Sequence, residues 1–257
     1  MAIDMSKIRA RKQALENRGN GSAFWRPSDG EQTIRIIPTA DGDPFKDFWF
    51  HYNVGNNPGF LSPKKHFGED DPLDAFVRKL FNEGTEESVK MAKNLMARQR
   101  FFTPVLVRGE ESMGVRIWGF GKTVYEQLIN LVLNPEYGDI TDPDTGTDLV
   151  LHYGKPAGAS FPLTKLTPRR RPSPLCDEGV GGDDYCAELL ASIPDFNSLF
   201  ERKTPDEVGA MLDSYLIGDD DENRTSTGTT RYNNTDSTSM PASTTSVDRA
   251  FDELMNA

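Results

Sequence analysis

Six short segments rich in β-branched and aromatic residues constrain the fold of this chain most: Gln32 to Ile37 (closed by Pro38), Phe45 to Tyr52, Phe101 to Val107, Val115 to Trp118, Leu149 to Tyr153 and Phe161 to Thr167. Each has the length and composition of a strand. Helical patterns are inserted among them at Pro72 to Asn82, Glu86 to Arg98 and Lys122 to Leu133, the last with Val124, Leu128, Leu131 and Val132 on one face. A shorter helix over Asp206 to Leu216 follows Thr204-Pro205, a good N-terminal signal. Short strands with helices in their connections predict an α+β, mainly β fold, a small barrel with helical insertions rather than a layered α/β sheet.

Charge divides the chain more sharply than its net value of -11 suggests. Residues 1–26 hold 6 basic and 2 acidic side chains, residues 27–172 hold 18 and 20, and residues 173–257 hold 5 and 18. The sequence therefore predicts a basic N-terminal arm (1–26), a core (27–217) that is near-neutral over 27–172, and an acidic tail (218–257). Each segment has its own field, so an acidic total does not exclude nucleic acid. The arm carries Lys7, Arg9, Arg11 and Lys12 among good helix formers, ahead of the breaker Gly19-Asn20-Gly21.

The tail begins with Asp219-Asp220-Asp221-Glu222 and runs on through Ser, Thr and Asn to Ser246, a composition that predicts disorder. Its last residues differ: Val247, Phe251, Leu254 and Met255 recur at helical spacing between Asp248, Asp252 and Glu253. An acidic, apolar plug on a long tether has the form of a partner-docking motif built on Phe251, Leu254 and Met255. No apolar run approaches the roughly 20 residues that span a bilayer, and no signal-peptide pattern opens the chain. A cytoplasmic location is expected. Cys176 and Cys186 supply neither a disulfide framework nor the spacing of a four-ligand zinc site.

Enzyme motifs fail on inspection. Gly119 to Thr123 reads Gly-Phe-Gly-Lys-Thr between a strand and a helix, yet Arg116 stands where a Walker loop needs glycine and Val124 where the dinucleotide fingerprint needs one. The acidic group Glu69, Asp70, Asp71 and Asp74 suggests a metal-dependent nuclease. Its simpler role is capping, with Asp71 as the N-cap, Pro72 at the first helical position and Asp74 complementing the dipole. No catalytic constellation is visible, and the chain is expected not to be an enzyme.

Aromatic and basic residues interleave instead, in Phe48-Trp49-Phe50-His51-Tyr52, Lys64-Lys65-His66-Phe67, Arg98-Gln99-Arg100-Phe101-Phe102, Arg116-Ile117-Trp118-Gly119-Phe120 and Arg169-Arg170-Arg171. Stacking platforms beside cations are what single-stranded nucleic acid requires. Strand alternation puts Phe48, Phe50 and Tyr52 on one face and Trp49 and His51 on the other, so one set at most meets a ligand. The expected contact residues are Arg35, Lys64, Lys65, Arg98, Arg100, Phe101, Phe102, Trp118, Lys122, Arg169, Arg170 and Arg171.

Gln32 to Pro38, Arg98 to Arg108, Val115 to Leu133 with its Trp-Gly-Phe-Gly-Lys core, and the ending Ala-Phe-Asp-Glu-Leu-Met resemble the single-stranded DNA-binding, helix-destabilising proteins of T-even-type tailed phages. The resemblance covers most of the chain. It implies an OB-fold-like barrel whose cleft holds single-stranded DNA, in a largely sequence-independent and cooperative way, for phage DNA replication, recombination and repair in the cytoplasm of an infected bacterial host. It also implies that the arm binds the neighbouring protomer, through Lys7, Arg9, Arg11 and Lys12, and that the tail recruits proteins such as polymerase and helicase loader. An RNA-binding OB-fold protein is the alternative binding class, and a metal-dependent nuclease the alternative enzyme.

Many relatives hold a structural zinc with a histidine and three cysteines. Here His51 matches the histidine, but Ser62 and the Asp71-Pro72-Leu73-Asp74 turn stand where cysteines would be. Those residues lack the soft sulfurs of structural zinc sites, so no cofactor is expected. The subdomain near 51–98 would then hold together by packing of the helix from Pro72, through Leu73, Phe76, Val77 and Leu80.

Overall fold

The computed structural model describes residues 23–55, 57–176 and 182–224. The arm at 1–22 and the tail from 225, including Lys7, Arg9, Arg11, Lys12, Phe251, Leu254 and Met255, lie outside the described residues. The fold is mixed α/β and dominated by an eight-stranded sheet. Its strands are β1 (Phe24–Trp25), β2 (Gly30–Ile36), β3 (Lys46–Val54), β4 (Asn57–Leu61), β5 (Arg98–Val107), β6 (Arg116–Phe120), β7 (Leu149–Gly154) and β8 (Leu163–Pro168). The α-helices are α1 (Pro72–Glu83), α2 (Glu86–Leu95), α3 (Lys122–Val132), α4 (Gly182–Ala191) and α5 (Pro205–Arg224). Two compact units divide the described residues: 23–48 with 99–176 and 182–197, and 49–98 with 198–224.

In the first unit the strand order is β1-β6-β5-β2-β7-β8. β1 runs parallel to β6, pairing Trp25 with Trp118, and the other neighbours are antiparallel. Among the described residues no pairing joins β8 back to β1, so the sheet is open where the sequence led us to expect a closed barrel. Strand length explains the difference: β1 has two residues, too few to bridge a seam. Ile34, Ile36, Val105, Leu149 and Leu151 are wholly buried, and α3 lays Val124 and Leu128 on this core. Each such side chain contributes about 1.5–3 kcal/mol through burial. Gln127 of α3 accepts from the Leu166 N–H (3.1 Å) and donates to the Thr164 carbonyl (3.1 Å), both on β8.

A polar hub fixes the segment after β8. Arg35 is fully buried; its Nε donates to Asp148 at 2.8 Å, and its guanidinium also reaches Ser173. Arg108 donates to the same carboxylate and to the carbonyls of Pro174 and Leu175 (2.7 and 2.9 Å). Burial alone would raise the Asp148 pKa, but the hydrogen bonds from Arg108 and Arg35 hold it below the ordinary carboxylate value. Next to this segment Cys176 and Cys186 form a disulfide, with 5.8 Å between their Cα atoms, which ties α4 to it. The sequence gives α4 no strong signal, since its apolar face is narrow; Leu189 packs with Ile37, Leu106 and Leu175.

In the second unit β3 pairs with β4, Phe50 opposite Leu61 and His51 opposite Phe60. Asp71 caps α1 as its pattern predicts, accepting from the Asp74 N–H (3.1 Å), with Pro72 in the first turn. Gly84 ends α1 in the left-handed region (φ 70°), and Thr85 caps α2. Leu73, Val77 and Leu80 are buried with Val54, Phe60, Ala92, Leu95, Val208 and Leu212, and Phe76 packs against them half-buried. α5 runs through to Arg224, so the helix crosses residue 218, where the sequence set the start of a disordered tail.

Candidate nucleic-acid interface

The second unit displays one aromatic and cationic surface. The Ser62 hydroxyl caps a tight turn at Pro63–Phe67, which Gly68 closes with φ 72°. That turn presents Lys64, Lys65 and Phe67 outward. The Lys65 ammonium stands 5.1 Å from the centre of the Trp49 ring, and the Arg202 guanidinium 4.5 Å from that of Phe67. Alternation along β3 explains the position of Trp49: Phe48, Phe50 and Tyr52 are core residues, whereas Trp49 is half-buried. Lys64 pairs with Asp74 at 3.2 Å, and Arg202 pairs with Glu69. Arg98 is exposed and donates to the Lys93 carbonyl (3.4 Å). Trp49 and Arg202 were not among the expected contacts; the alternation in β3 signals the first, and nothing local signals the second.

The first unit carries a cleft of about 470 Å³, walled by Phe45, Phe101 and Tyr125 and edged by Asp47, Gln99 and Lys122. Phe101 and Tyr125 stack with ring centres 3.9 Å apart and 5° between planes. Lys122 opens α3 from the Gly-Phe-Gly turn, with its side chain 77% exposed and 3.7 Å from Glu126. Arg100 is half-buried beside that turn, its Nη1 lying 3.7 Å from where a side chain on Gly121 would begin. Arg169, Arg170 and Arg171 are exposed after β8; Arg169 donates to the Thr33 hydroxyl at 3.1 Å.

Phe101, 5% exposed and stacked on Tyr125, belongs to the core, and three further expected contacts do as well. Trp118 is 2% exposed, edge-on to Trp25 (6.1 Å), so it has no free face for a base. Phe102 is 1% exposed between Phe24 and Phe48. Arg35 spends its donors on Asp148, Asp142 and Ser173 and reaches no solvent. The cause is common to all three: their strands are covered on both faces, so a basic neighbour in sequence does not mark a surface.

His51, Ser62 and Asp71 form a closed hydrogen-bond network. Ser62 Oγ donates to Asp71 Oδ2 (2.7 Å), and the His51 ring lies 3.0 Å from the same oxygen through Nε2 and 2.8 Å from the Leu95 carbonyl through Nδ1. With both ring nitrogens engaged and no sulfur present, these residues do not fit a structural zinc. Glu69, Asp71 and Asp74 are likewise taken up by Arg202, by the helix cap and by Lys64 and Arg78. Among the described residues no group of three or more His, Cys, Asp or Glu is placed to hold a metal ion. Compared with known proteins, the chain matches no family model and no curated sequence.

Proposed function

We propose that this protein binds single-stranded DNA cooperatively and without catalysis, in the manner of the phage helix-destabilising proteins it resembles, with an OB-like arrangement of its open sheet. The observation that carries the reading is the pairing of exposed cations with aromatic rings on the second unit: Lys65 with Trp49 and Arg202 with Phe67. Bases stack on the rings and phosphates meet the cations. The Arg169, Arg170 and Arg171 run adds a sequence-independent charge contact. The arm is assigned to protomer contacts along DNA, and the tail to phage replication proteins such as polymerase and helicase loader and to competition with DNA for the basic surface. The setting is the cytoplasm of an infected bacterial host.

Fluorescence anisotropy of labelled oligo-dT across a salt series tests the reading. Binding is expected, with the logarithm of affinity falling linearly with the logarithm of salt concentration. Absence of binding at low salt overturns it. Competition between poly-dT and poly-U separates DNA from RNA preference, and incubation of labelled strands with magnesium or manganese tests for cleavage. Deletion of residues 1–18 is expected to abolish clustering on long strands while leaving binding to a one-protomer oligonucleotide.

A further inference from the structure

We infer that the outer face of β2, β7 and β8 seats the sugar-phosphate backbone of a single strand, with Lys165 and Arg169 as its cations; this rests on the single-strand reading above. The strand registers fix which side chains share that face. Glu31, His152 and Lys165 form one row across the three strands, and Thr33, Val150 and Thr167 form the next. The row between them, Gln32, Leu151 and Leu166, belongs to the opposite face, where Leu151 and Leu166 enter the core. Beyond Thr33 the outer face closes, because Arg35 and Asp148 are buried there and Arg35 is bonded to Ser173. The two rows before that point are half-buried or exposed.

Charge is uneven across these rows. Their one carboxylate, Glu31, stands on β2 and faces His152 at 3.7 Å, on the side away from β8. Lys165 on β8 is exposed and forms no ion pair among the described residues. Pairing with β7 continues one residue past β8, where the Arg169 N–H donates to the Asp148 carbonyl (2.9 Å). From there the exposed Arg169 side chain turns over the face and donates to the Thr33 hydroxyl at 3.1 Å. Its partner is neutral, so its charge stays available to an anion. The two cations thus bracket the row of Thr33, Val150 and Thr167, which spans two inter-strand spacings, about 9–10 Å. Ammonium, guanidinium and threonine hydroxyl all donate, and phosphate oxygens only accept. Thr33, Val150 and Thr167 offer no ring for stacking, so this face meets the backbone and leaves the bases turned away. It adds charge contacts without base preference, whereas the stacking contacts lie elsewhere.

The test measures anisotropy of oligo-dT across a salt series with the full chain, with Lys165→Gln, with the Lys165→Gln, Arg169→Gln double variant, and with Lys90→Gln. Lys165 and Lys90 are both exposed, and Lys90 lies on α2 of the other unit, so it controls for loss of one charge. Circular dichroism checks that each variant folds. The slope of log affinity against log salt is expected to shrink by about 0.7 in Lys165→Gln and by about 1.4 in the double variant, as for one and two lost phosphate contacts on a single strand. Lys90→Gln is expected to leave it unchanged. An unaltered slope in Lys165→Gln, or an equal loss in Lys90→Gln, overturns the inference and leaves the single-strand reading standing. Tighter DNA binding by Lys165→Gln also overturns it, since the face would then be holding the chain's own acidic tail. Absence of binding by the unaltered protein removes both readings.

Discussion

The Asp71 carboxylate lies 3.0 Å from Nε2 of His51, and neither side chain reaches solvent. Burial would raise the Asp71 pKa, but hydrogen bonds from His51 and Ser62, helped by charge attraction to His51, hold it below its ordinary value. The unfolded chain therefore binds this proton more tightly than the folded one. The resulting stability is present above the ordinary carboxylate pKa and is lost as the pH falls through the lowered folded value. Asp71→Asn is expected to flatten this acid limb and to cost about 1–3 kcal/mol at neutral pH, because it removes the charged acceptor that the buried His51 and Ser62 side chains share. Urea unfolding at neutral and acid pH measures both; parallel curves for the two proteins would contradict the assignment.

Two tryptophans are expected to separate stability from binding. Trp118→Ala should destabilise the protein by about 3–5 kcal/mol, as large-to-small changes in a closed core do. Trp49→Ala should instead cost about 1–3 kcal/mol of oligo-dT binding with little change in the salt slope. Denaturant titration and anisotropy on both variants decide this, and a loss of affinity without a loss of stability in Trp118→Ala would reverse the assignment.

Gly146 sits against the Arg35 hub. A methyl group there would fall 2.4 Å from Arg35 Nη1 and from the Asp142 carbonyl. Gly146→Ala is expected to displace the guanidinium and to destabilise by about 1–3 kcal/mol or more, the range of overpacking in a fixed environment. Its urea midpoint, compared with that of Gly138→Ala, a glycine with φ 61° and open space around it, separates collision from backbone strain.

The Cys176–Cys186 disulfide spans a sequence separation of 10 residues. Chain-entropy arguments give a closure of that size about 2–3 kcal/mol. Thermal unfolding with and without reductant is expected to show a lower midpoint under reduction, and the Cys176→Ser, Cys186→Ser double variant should be insensitive to reductant.

Much of the fold was legible because its cues are local. β2 sets Ile34 and Ile36 at alternate positions, β5 and β7 carry the apolar runs Val105–Val107 and Leu149–Leu151, and Asp71-Pro72 announces the start of α1 within two residues. β1 and β4 escaped because one is two residues long and the other contains Pro58-Gly59, which weakens the strand pattern. The site was less legible than the fold. Trp118 and Trp49 each have basic residues near them in sequence, yet Trp118 is 2% exposed beside the buried Ile117, whereas Trp49 is half-buried, before β3 itself buries Phe50, His51 and Tyr52 in succession. The cleft assembles Asp43, Asp47, Gln99 and Glu126 from distant parts of the chain, and near-neutral charge over 27–172 conceals such a concentration.

β8 ends the strand path, and an edge strand offers its unpaired N–H and C=O groups to any extended chain that meets it. Gln127 takes the Leu166 N–H and the Thr164 carbonyl with a single side-chain amide, which imitates one peptide unit of a ninth strand without leading to another. A sheet whose last strand is partly closed by its own helix leaves fewer free backbone groups for an extended chain from another molecule to pair with.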